Sequence, residues 1–168
     1  MTDSRTSSRV KGGSWGTQGI SETPMDRGTD IALTLRAAQA GDEAAVVALW
    51  QACGLVVSYN DPVADFRLAR GRSNSDVLIA VDPQDIVVGA VMVGHDGHRG
   101  WIYYLAADPD RRRQGIGKQL VAAAQTWLKD HGIAKLQLMI RDSNTPVVSF
   151  YERLGFEIAP RIIMQKWL

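Results

Sequence analysis

The chain has 168 residues, of which 45% are hydrophobic and 22% are charged, so it is long enough to bury the core of one ordinary domain without metal or disulfide support. Lys and Arg total 19 and Asp and Glu total 18, and the net charge of +1 excludes the strong global field that is typical of nucleic-acid binders. The single cysteine, Cys53, excludes an intramolecular disulfide and is typical of a reducing compartment, so we expect a cytoplasmic protein.

No apolar run approaches the roughly 20 residues that a membrane-spanning helix needs, and the N-terminus lacks the apolar core of a secretory signal. Residues 1–30 are rich in Ser, Thr, Gly and Arg and show no period of 2 or 3.6. We expect them to form a flexible N-terminal extension, and we expect residues 31–168 to form the folded domain.

From residue 31 onward the hydrophobic pattern predicts regular elements. In chain order these are a strand at 31–36, a helix capped by Asp42 and ended by Gly54, a helix starting at Asn60-Asp61-Pro62, strands at 77–81, 86–93 and 101–107, a helix at 115–131, a strand at 135–140, a helix at 145–154, and strands at 156–158 and 162–166. The three consecutive strands indicate an antiparallel meander, whereas the strands at 101–107 and 135–140 flank a helix and must be parallel. We therefore expect an α+β fold with a single mixed central sheet flanked by helices, in the order β-α-α-β-β-β-α-β-α-β-β.

The most informative segment lies between a predicted strand and a predicted amphipathic helix. It reads Pro109-Asp110-Arg111-Arg112-Arg113-Gln114-Gly115-Ile116-Gly117-Lys118. A glycine-rich turn at a helix N-terminus leaves backbone N–H groups unpaired, and the helix dipole favours an anion there. The basic side chains add local positive charge to a chain that is otherwise balanced. The segment therefore predicts a phosphate-binding loop, with a merely solvated basic loop as the alternative.

Two common nucleotide-binding motifs do not fit this segment. A P-loop needs a glycine five residues before Gly117 and a Ser or Thr after Lys118, where the chain has Arg112 and Gln119. A dinucleotide-binding motif needs a small residue where Leu120 stands.

The segment from Arg112 to Gly117 resembles the [Arg/Gln]-x-x-Gly-x-[Gly/Ala] motif of the GNAT (GCN5-related N-acetyltransferase) superfamily. A second similarity lies downstream, where Asn144 and the run Phe150-Tyr151-Glu152-Arg153-Leu154-Gly155-Phe156 resemble that family's Asn-x-x-Ala-x-x-[Leu/Phe]-Tyr-x-x-x-Gly-Phe element. Val147 stands where the family usually has alanine. Three further segments are similar to a YpeA-like bacterial subgroup: Asn60-Asp61-Pro62, Asp96-Gly97-His98-Arg99-Gly100 and Tyr103-Tyr104-Leu105.

The resemblance implies that acetyl-CoA is the co-substrate. Backbone amides from Arg113 to Lys118 would hold the diphosphate, and the residues implied in this loop are Arg112, Arg113, Gln114, Gly115, Ile116, Gly117 and Lys118. Leu105, Ala106 and Ala107 would bond the pantetheine arm from a strand edge, together with Asn144. The resemblance also implies that the arm enters between the strands at 101–107 and 135–140, which splay apart, and that Tyr151 protonates the departing thiolate.

Deprotonating the acceptor amine is a harder step than protonating the departing thiolate. Deprotonating a lysine-like amine of pKa about 10.4 at pH 7 costs roughly 4.6 kcal/mol, and an α-amine of pKa near 8 costs about 1.4 kcal/mol. The sequence identifies no general base for this step. Strand period 2 predicts that Tyr103 shares a face with Leu105 and Ala107, which makes Tyr103 a second catalytic candidate beside Tyr151, with an aromatic packing role as the alternative.

Five further residues are candidates for acceptor binding, although each also fits packing, capping or a solvated turn: Trp50, Asn60, Asp61, His98 and Arg99.

The resemblance implies an N-acetyltransferase that moves the acetyl group of acetyl-CoA to a primary amine, of a small molecule or a protein N-terminus, and we expect direct attack in a ternary complex. A covalent acyl-enzyme is disfavoured because Cys53 lies on a core-facing helix stripe without an evident base. The alternative is a non-catalytic acyl-CoA-binding or regulatory module with the same fold. We expect a monomer or homodimer without a nucleic-acid or membrane partner, and no metal, since His95 and His131 lack metal-ligand spacing.

Overall fold

A computed structural model describes residues 32–167. The expected flexible extension at residues 1–30 lies outside the described residues, as do Ile31 and Leu168. No helix within the described range combines the length and the apolar character that crossing a bilayer requires.

The described residues form one five-stranded mixed sheet with helices on both faces. The strands are β1 (Thr34–Ala37), β2 (Ser75–Val81), β3 (Val87–His95), β4 (Gly100–Ala107) and β5 (Leu136–Gln137), and the helices are α1 (Glu43–Ala52), α2 (Pro62–Ala69), α3 (Ile116–Asp130) and α4 (Val148–Arg153). The strand order is β1-β2-β3-β4-β5. The first four strands are antiparallel and β5 is parallel to β4. The predicted α+β class and mixed sheet are confirmed.

Helices α1 and α2 cover one face of the sheet. Val46 and Trp50 of α1 and Phe66 of α2 are completely buried and pack in one cluster with Val77 and Ile79 of β2. Burying a side chain of this kind contributes roughly 1.5–3 kcal/mol. The apolar stripe predicted for α1 therefore provides the core of this face, which we call the α1–α2 face.

Helices α3 and α4 cover the opposite face, which we call the α3–α4 face. Two glycines in the sheet let α3 approach closely. A Cβ atom on Gly89 would lie 2.5 Å from Ile116 Cγ2, and one on Gly100 would lie 2.5 Å from Leu128 Cδ1. The absence of side chains at these two points seats α3 directly on β3 and β4 and brings its first residue, Ile116, against the sheet.

The two predicted helix caps have different outcomes. Asp61 caps α2, because its carboxylate accepts hydrogen bonds from the backbone N–H groups of Val63 and Ala64 at 2.9 and 3.1 Å. Asp42 immediately precedes α1, but its carboxylate pairs with the guanidinium of Arg36 at 2.7 Å and makes no capping bond to that helix. The Asp42 side chain ties β1 to the start of α1 instead.

The C-terminal part of the chain differs most from the prediction. The strand expected at 135–140 is reduced to Leu136–Gln137, and the strands expected at 156–158 and 162–166 are not formed. A strand requires a partner that satisfies its backbone groups, and β5 offers an edge of only two residues. Residues 157–167 are accordingly exposed and irregular, with Ile162 92% and Met164 91% exposed.

Candidate active site

The sheet opens between β4 and β5. The two strands pair only where Gly100 lies opposite Leu136 and Trp101 lies opposite Gln137. From Ile102 to Ala107, β4 has no strand partner on this side among the residues that the structure describes. Backbone groups on this edge of β4 therefore have no strand to bond and can bind an extended ligand, except that the Ala107 carbonyl accepts from the Cys53 thiol. The opening lies where the family resemblance implies that the strands splay apart.

A β-bulge interrupts β4 beside this opening. Tyr104 has a φ of 51°, and Tyr104 and Leu105 together lie opposite the single residue Val91 of β3. The extra residue shifts the strand period, so Tyr103 and Tyr104 both lie on the α1–α2 face while Leu105 lies on the α3–α4 face. The expectation that Tyr103 shares a face with Leu105 and Ala107 is therefore wrong, because period 2 holds only in a regular strand.

The predicted phosphate-binding loop connects the end of β4 to the start of α3. Arg113 and Gly115 have positive φ angles of 64° and 73°, and such left-handed residues are typical of backbone concavities that bind anions. No backbone N–H group of residues 112–118 donates to a backbone oxygen within residues 32–167. The side chains of Arg112, Arg113 and Lys118 are exposed around these groups. The loop thus combines unpaired N–H donors with positive charge at a helix N-terminus, which favours phosphate.

Arg111 differs from the two arginines that follow it. Its guanidinium lies 2.8 Å from Asp82 Oδ2 and 3.6 Å from Asp108 Oδ2. The N–H group of Ile86 and the charge of Arg111 hold the pKa of Asp82 below its usual value. Arg111 therefore anchors the start of the loop to the turn after β2.

Tyr151, the predicted proton donor, lies in α4. It is buried and packs edge-on against two phenylalanines. Its ring centroid lies 5.0 Å from that of Phe150 and 5.4 Å from that of Phe156. Leu105 packs against the same cluster, which places Tyr151 on the α3–α4 face. Burial raises the pKa of Tyr151 to about 12, so its hydroxyl keeps its proton at neutral pH. Asn144 is exposed in the 3₁₀ turn that precedes α4.

A cavity of about 400 Å³ lies on the opposite face, between α2 and the strands β3 and β4. Its lining includes Asp65, Leu68, Met92, Asp96, Trp101, Tyr103 and Tyr104. The volume is within the range of small-molecule pockets. Because Tyr103 and Tyr104 follow the last β4 residue that pairs with β5, the cavity reaches the open part of β4.

A hydrogen-bonded group stands at this end of the cavity. The hydroxyl of Tyr104 donates to Asp65 Oδ2 at 2.7 Å and accepts from Asn60 Nδ2 at 2.8 Å. The Tyr104 ring stacks on Trp50 with a centroid distance of 4.3 Å. Burial raises the pKa of Tyr104, and the negative charge of Asp65 adds to the rise. The Tyr104 hydroxyl therefore holds the Asp65 carboxylate in place by donating a hydrogen bond to it.

Sequence reasoning missed Asp65 and Tyr104. In the sequence Asp65 is one carboxylate among several on amphipathic helices, and only the packing of α2 on the sheet places it opposite Tyr104. The sequence pointed to this group only through Asn60, which was a candidate for acceptor binding and which donates a hydrogen bond to the Tyr104 hydroxyl in the structure.

The other four acceptor-binding candidates have structural contacts. Trp50 is completely buried beneath Tyr104, and Asp61 caps α2. His98 and Arg99 lie in the turn between β3 and β4, where their N–H groups donate to Asp96 Oδ1 at 2.9 and 2.7 Å. The structure brings only Asn60 of the five to the Tyr104 hydroxyl among the described residues, and any acceptor contact by the other four stays a prediction.

Cys53 has the properties of a packed thiol. Its Sγ donates to the carbonyl of Ala107 at 3.3 Å, and burial raises the pKa of the thiol. A thiol with a raised pKa is a poor nucleophile at neutral pH. Within residues 32–167, no three His, Cys, Asp or Glu side chains are grouped so that they could hold a metal ion.

Comparisons with known proteins agree with this geometry. Residues 43–156 match the family model described as the acetyltransferase (GNAT) family. An acetyltransferase of Pectobacterium atrosepticum is 35% identical over 136 residues, which cover 81% of the chain and 96% of that protein. An acetyltransferase of Yersinia enterocolitica is 33% identical over 136 residues with the same coverage of both chains.

Solved structures share the fold. The aminoglycoside N-acetyltransferase AAC(6′)-Iy in complex with CoA superposes with a TM-score of 0.70 at 20% identity, covering 81% of this chain and 95% of that one. At this identity the likeness concerns the fold, and the finer placement in a YpeA-like subgroup stays a prediction. The family match and the curated relatives decide the broader question: the chain belongs to the GNAT family and is an acetyltransferase.

Proposed function

We propose that this acetyltransferase moves the acetyl group of acetyl-CoA to a primary amine by direct attack, with both substrates bound together. The observation that supports it most is the meeting of two features at the end of β4, the loop of unpaired N–H groups and the open strand edge. The loop suits a diphosphate, and the edge suits an extended arm that contains amide groups. Coenzyme A joins both kinds of group in one molecule.

The donor side of the site uses mainly backbone groups. In this proposal residues 112–118 bind the diphosphate, and Leu105, Ala106 and Ala107 bond the arm from the β4 edge. Asn144 bonds the arm from the turn before α4. A Cβ atom on Gly117 would lie 3.2 Å from Phe150 Cζ, so glycine at this position also lets α4 lie close to the loop.

The acetyl donor supplies an activated thioester, and the chain's residues manage the protons. The acceptor must be a neutral amine when it attacks, so its ammonium form first loses a proton to solvent. After attack the nitrogen loses a second proton, which replaces the one that the departing thiolate receives. Tyr151 donates its hydroxyl hydrogen to the sulfur as negative charge develops there. Tyr103 lines the cavity on the α1–α2 face. Because burial raises its pKa, its hydroxyl acts there as a hydrogen-bond donor that orients the acceptor, not as a base.

Direct attack is favoured over a covalent intermediate because the chain's only thiol is held in a packing role. Cys53 bonds the Ala107 carbonyl and its pKa is raised, so it does not compete as a nucleophile with a neutral amine. The catalytic unit in this proposal is the domain at residues 31–168.

Calorimetric titration of the full chain with acetyl-CoA is the first test, with ATP and NAD as controls. We expect one site for acetyl-CoA and no binding of the controls at the same concentration. Ligand at 100 times its Kd stabilises the fold by about 2.7 kcal/mol, so a thermal-shift measurement provides a second readout. Thiol release in the presence of an amine panel then tests transfer. Binding without any amine-dependent thiol release would contradict the enzymatic part of the proposal, and absence of binding would contradict all of it.

A further inference from the structure

The cavity on the α1–α2 face and the phosphate-binding loop approach β4 from different sides. The loop leads into α3 on the α3–α4 face, and the cavity lies between α2 and the sheet on the other face. Beyond Trp101, no described strand adjoins β4 on its β5 side, so the sheet does not separate the two regions there. A group held in the cavity beside Tyr104 is therefore next to the β4 edge along which we have placed the arm of coenzyme A.

Acidic side chains outnumber basic ones in the lining of the cavity. Its lining contains two carboxylates, Asp65 and Asp96, together with His95, and no Lys or Arg among the described residues that line it. Backbone N–H groups of Arg99 and His98 lower the pKa of Asp96 to about 2, so this carboxylate is ionised at neutral pH. An acceptor that carried its own carboxylate would meet like charge from these two carboxylates. Arg141 lies outside the lining, and its positive charge acts on Tyr104 more weakly than the negative charge of Asp65 does.

Asp65 has an oxygen available for a ligand. Its Oδ2 accepts from the Tyr104 hydroxyl, whereas its Oδ1 accepts no hydrogen bond from the described residues and is not buried. Leu68, Met92 and Trp101 add apolar and aromatic surface to the lining, which also includes the polar side chains of Asn74 and Ser75. A carboxylate beside aromatic faces is an arrangement that stabilises an organic ammonium ion.

Resting on the proposed function, we propose that this cavity is the acceptor site and that it selects a cationic primary amine on an apolar or aromatic body, against amines that carry a neighbouring carboxylate. Asp65 Oδ1 binds the ammonium group beside the β4 opening, and Tyr104 positions that carboxylate. The apolar walls bind the body of the acceptor. Free amino acids are therefore excluded, whereas arylalkylamines and amine compounds with a neutral substituent at the same place are accepted.

The test compares three ligands that differ at one substituent: 2-phenylethylamine, phenylalanine, which adds a carboxylate, and phenylalaninamide, which adds a neutral amide of similar size. Binding to the full chain saturated with CoA is measured by calorimetry, so that the readout does not depend on turnover. We expect 2-phenylethylamine and phenylalaninamide to bind, and phenylalanine to bind at least about tenfold more weakly because of like-charge repulsion.

Variants assign the effect to the cavity. Asp65→Asn is expected to raise the Kd of 2-phenylethylamine about tenfold or more, since it removes the charge that binds the ammonium, and Asp130→Asn, an exposed carboxylate at the end of α3, is the matched control that leaves it unchanged. Leu68 is 72% exposed at the cavity wall, so its substitution spares the core. Leu68→Lys is expected to weaken binding of 2-phenylethylamine and Leu68→Glu to retain it.

The outcomes separate the two proposals. Three results would overturn the acceptor-site proposal. The first is equal binding of phenylalanine and 2-phenylethylamine, and the second is no binding of 2-phenylethylamine. The third is a wild-type Kd for 2-phenylethylamine in both Asp65→Asn and Leu68→Lys. Asp65-dependent binding of 2-phenylethylamine without acetyl transfer to it or to phenylalaninamide would support the selectivity of the cavity and count against the proposed function. Transfer that is lost with Asp65→Asn, while the Kd of acetyl-CoA is unchanged, would support both.

Discussion

The Nη2 atom of Arg111 lies 2.8 Å from Oδ2 of Asp82, and this ion pair joins the start of the predicted phosphate-binding loop to the turn that follows β2. The carboxylate of Asp82 is almost completely shielded from solvent, with a side-chain exposure of 1%. The backbone N–H groups of Gln84 and Ile86 donate to its other oxygen at 3.0 and 2.9 Å. The loop is therefore held from its first residues by a neighbouring turn, before any ligand binds.

Asp82→Asn is expected to raise the Kd of acetyl-CoA several-fold and to lower the melting temperature. The substitution removes the charge that holds Arg111 and leaves a carbonyl oxygen for the backbone donors. Calorimetry and thermal unfolding measure the two effects, with Asp130→Asn as the surface control. An unchanged Kd would show that the ion pair does not position the loop.

The same carboxylate predicts an acid limit of stability. The pKa of Asp82 is lowered in the folded state, so the unfolded chain binds a proton first as the pH falls. The stabilisation is present above the ordinary pKa of 3.8 and is lost as the pH falls through the lower folded value. Urea unfolding between pH 5 and pH 2 is expected to show a steeper loss of stability for the wild type than for Asp82→Asn. Parallel curves would contradict this assignment.

Gly115→Ala tests the loop through its backbone. Gly115 has a φ of 73°, and Gly132, at the other end of α3, has a φ of 74° and would have nothing within 4 Å of an added Cβ atom. A left-handed alanine costs roughly 1–2 kcal/mol, so both substitutions lower the free energy of unfolding by a similar amount. Only Gly115→Ala is expected to weaken acetyl-CoA binding as well. If both variants bind acetyl-CoA alike, the loop geometry at Gly115 is not used for the diphosphate.

Tyr151→Phe is expected to lower kcat on the order of 10²-fold, because it removes the proton donor for the thiolate, while the Kd of acetyl-CoA stays near the wild-type value. The ring and its packing on Phe150 and Phe156 are retained. Steady-state kinetics with an accepted amine measure the first effect and calorimetry the second. A kcat equal to that of the wild type would remove Tyr151 from the mechanism.

Tyr151 also predicts an alkaline loss of stability. Its pKa is raised from 10.0 to about 12 in the folded state, so above pH 10 the unfolded chain loses the phenolic proton first. The free energy of unfolding therefore falls as the pH rises from 10 to about 12. Tyr151→Phe is expected to reduce this fall, as measured by urea unfolding at pH 9, 10, 11 and 12. The reverse result, a steeper fall in the variant, would contradict the burial of this hydroxyl.

Cys53→Ala is expected to retain most of the wild-type kcat, since the thiol bonds the Ala107 carbonyl and its raised pKa leaves little thiolate at neutral pH. The same kinetic assay measures the effect, with circular dichroism to confirm folding. A folded variant that has lost most of its turnover would indicate a covalent acyl-enzyme instead of direct attack.

The position and backbone geometry of the predicted phosphate-binding loop could be read from the sequence because both are local. Gly115 and Gly117 mark the turn and the helix start, and the helix dipole and unpaired N–H groups follow from these without reference to the rest of the fold. The mixed sheet was predictable for a similar reason, since strand period, short turns and a crossover helix limit the topology.

The prediction of two closing strands was wrong because strand formation depends on a distant partner and not on the local sequence alone. Residues 156–158 and 162–166 contain the apolar side chains that favour a strand, yet a strand forms only where a partner edge exists, and β5 ends after Gln137. Local propensity cannot report the length of a neighbouring edge.

The amino-acid sequence determined the fold class and the position of the glycine-rich loop between β4 and α3, since these depend on motifs and periods within short segments. The roles of Tyr151 and Asn144 stay predictions. The packed fold was needed to show that the β4 bulge places Tyr103 and Tyr104 on one face and that Asp65 reaches the Tyr104 hydroxyl at 2.7 Å. A bulge changes the strand period at one residue, and a contact between residues 39 positions apart depends on how a helix packs on a sheet, so neither can be obtained from a local pattern.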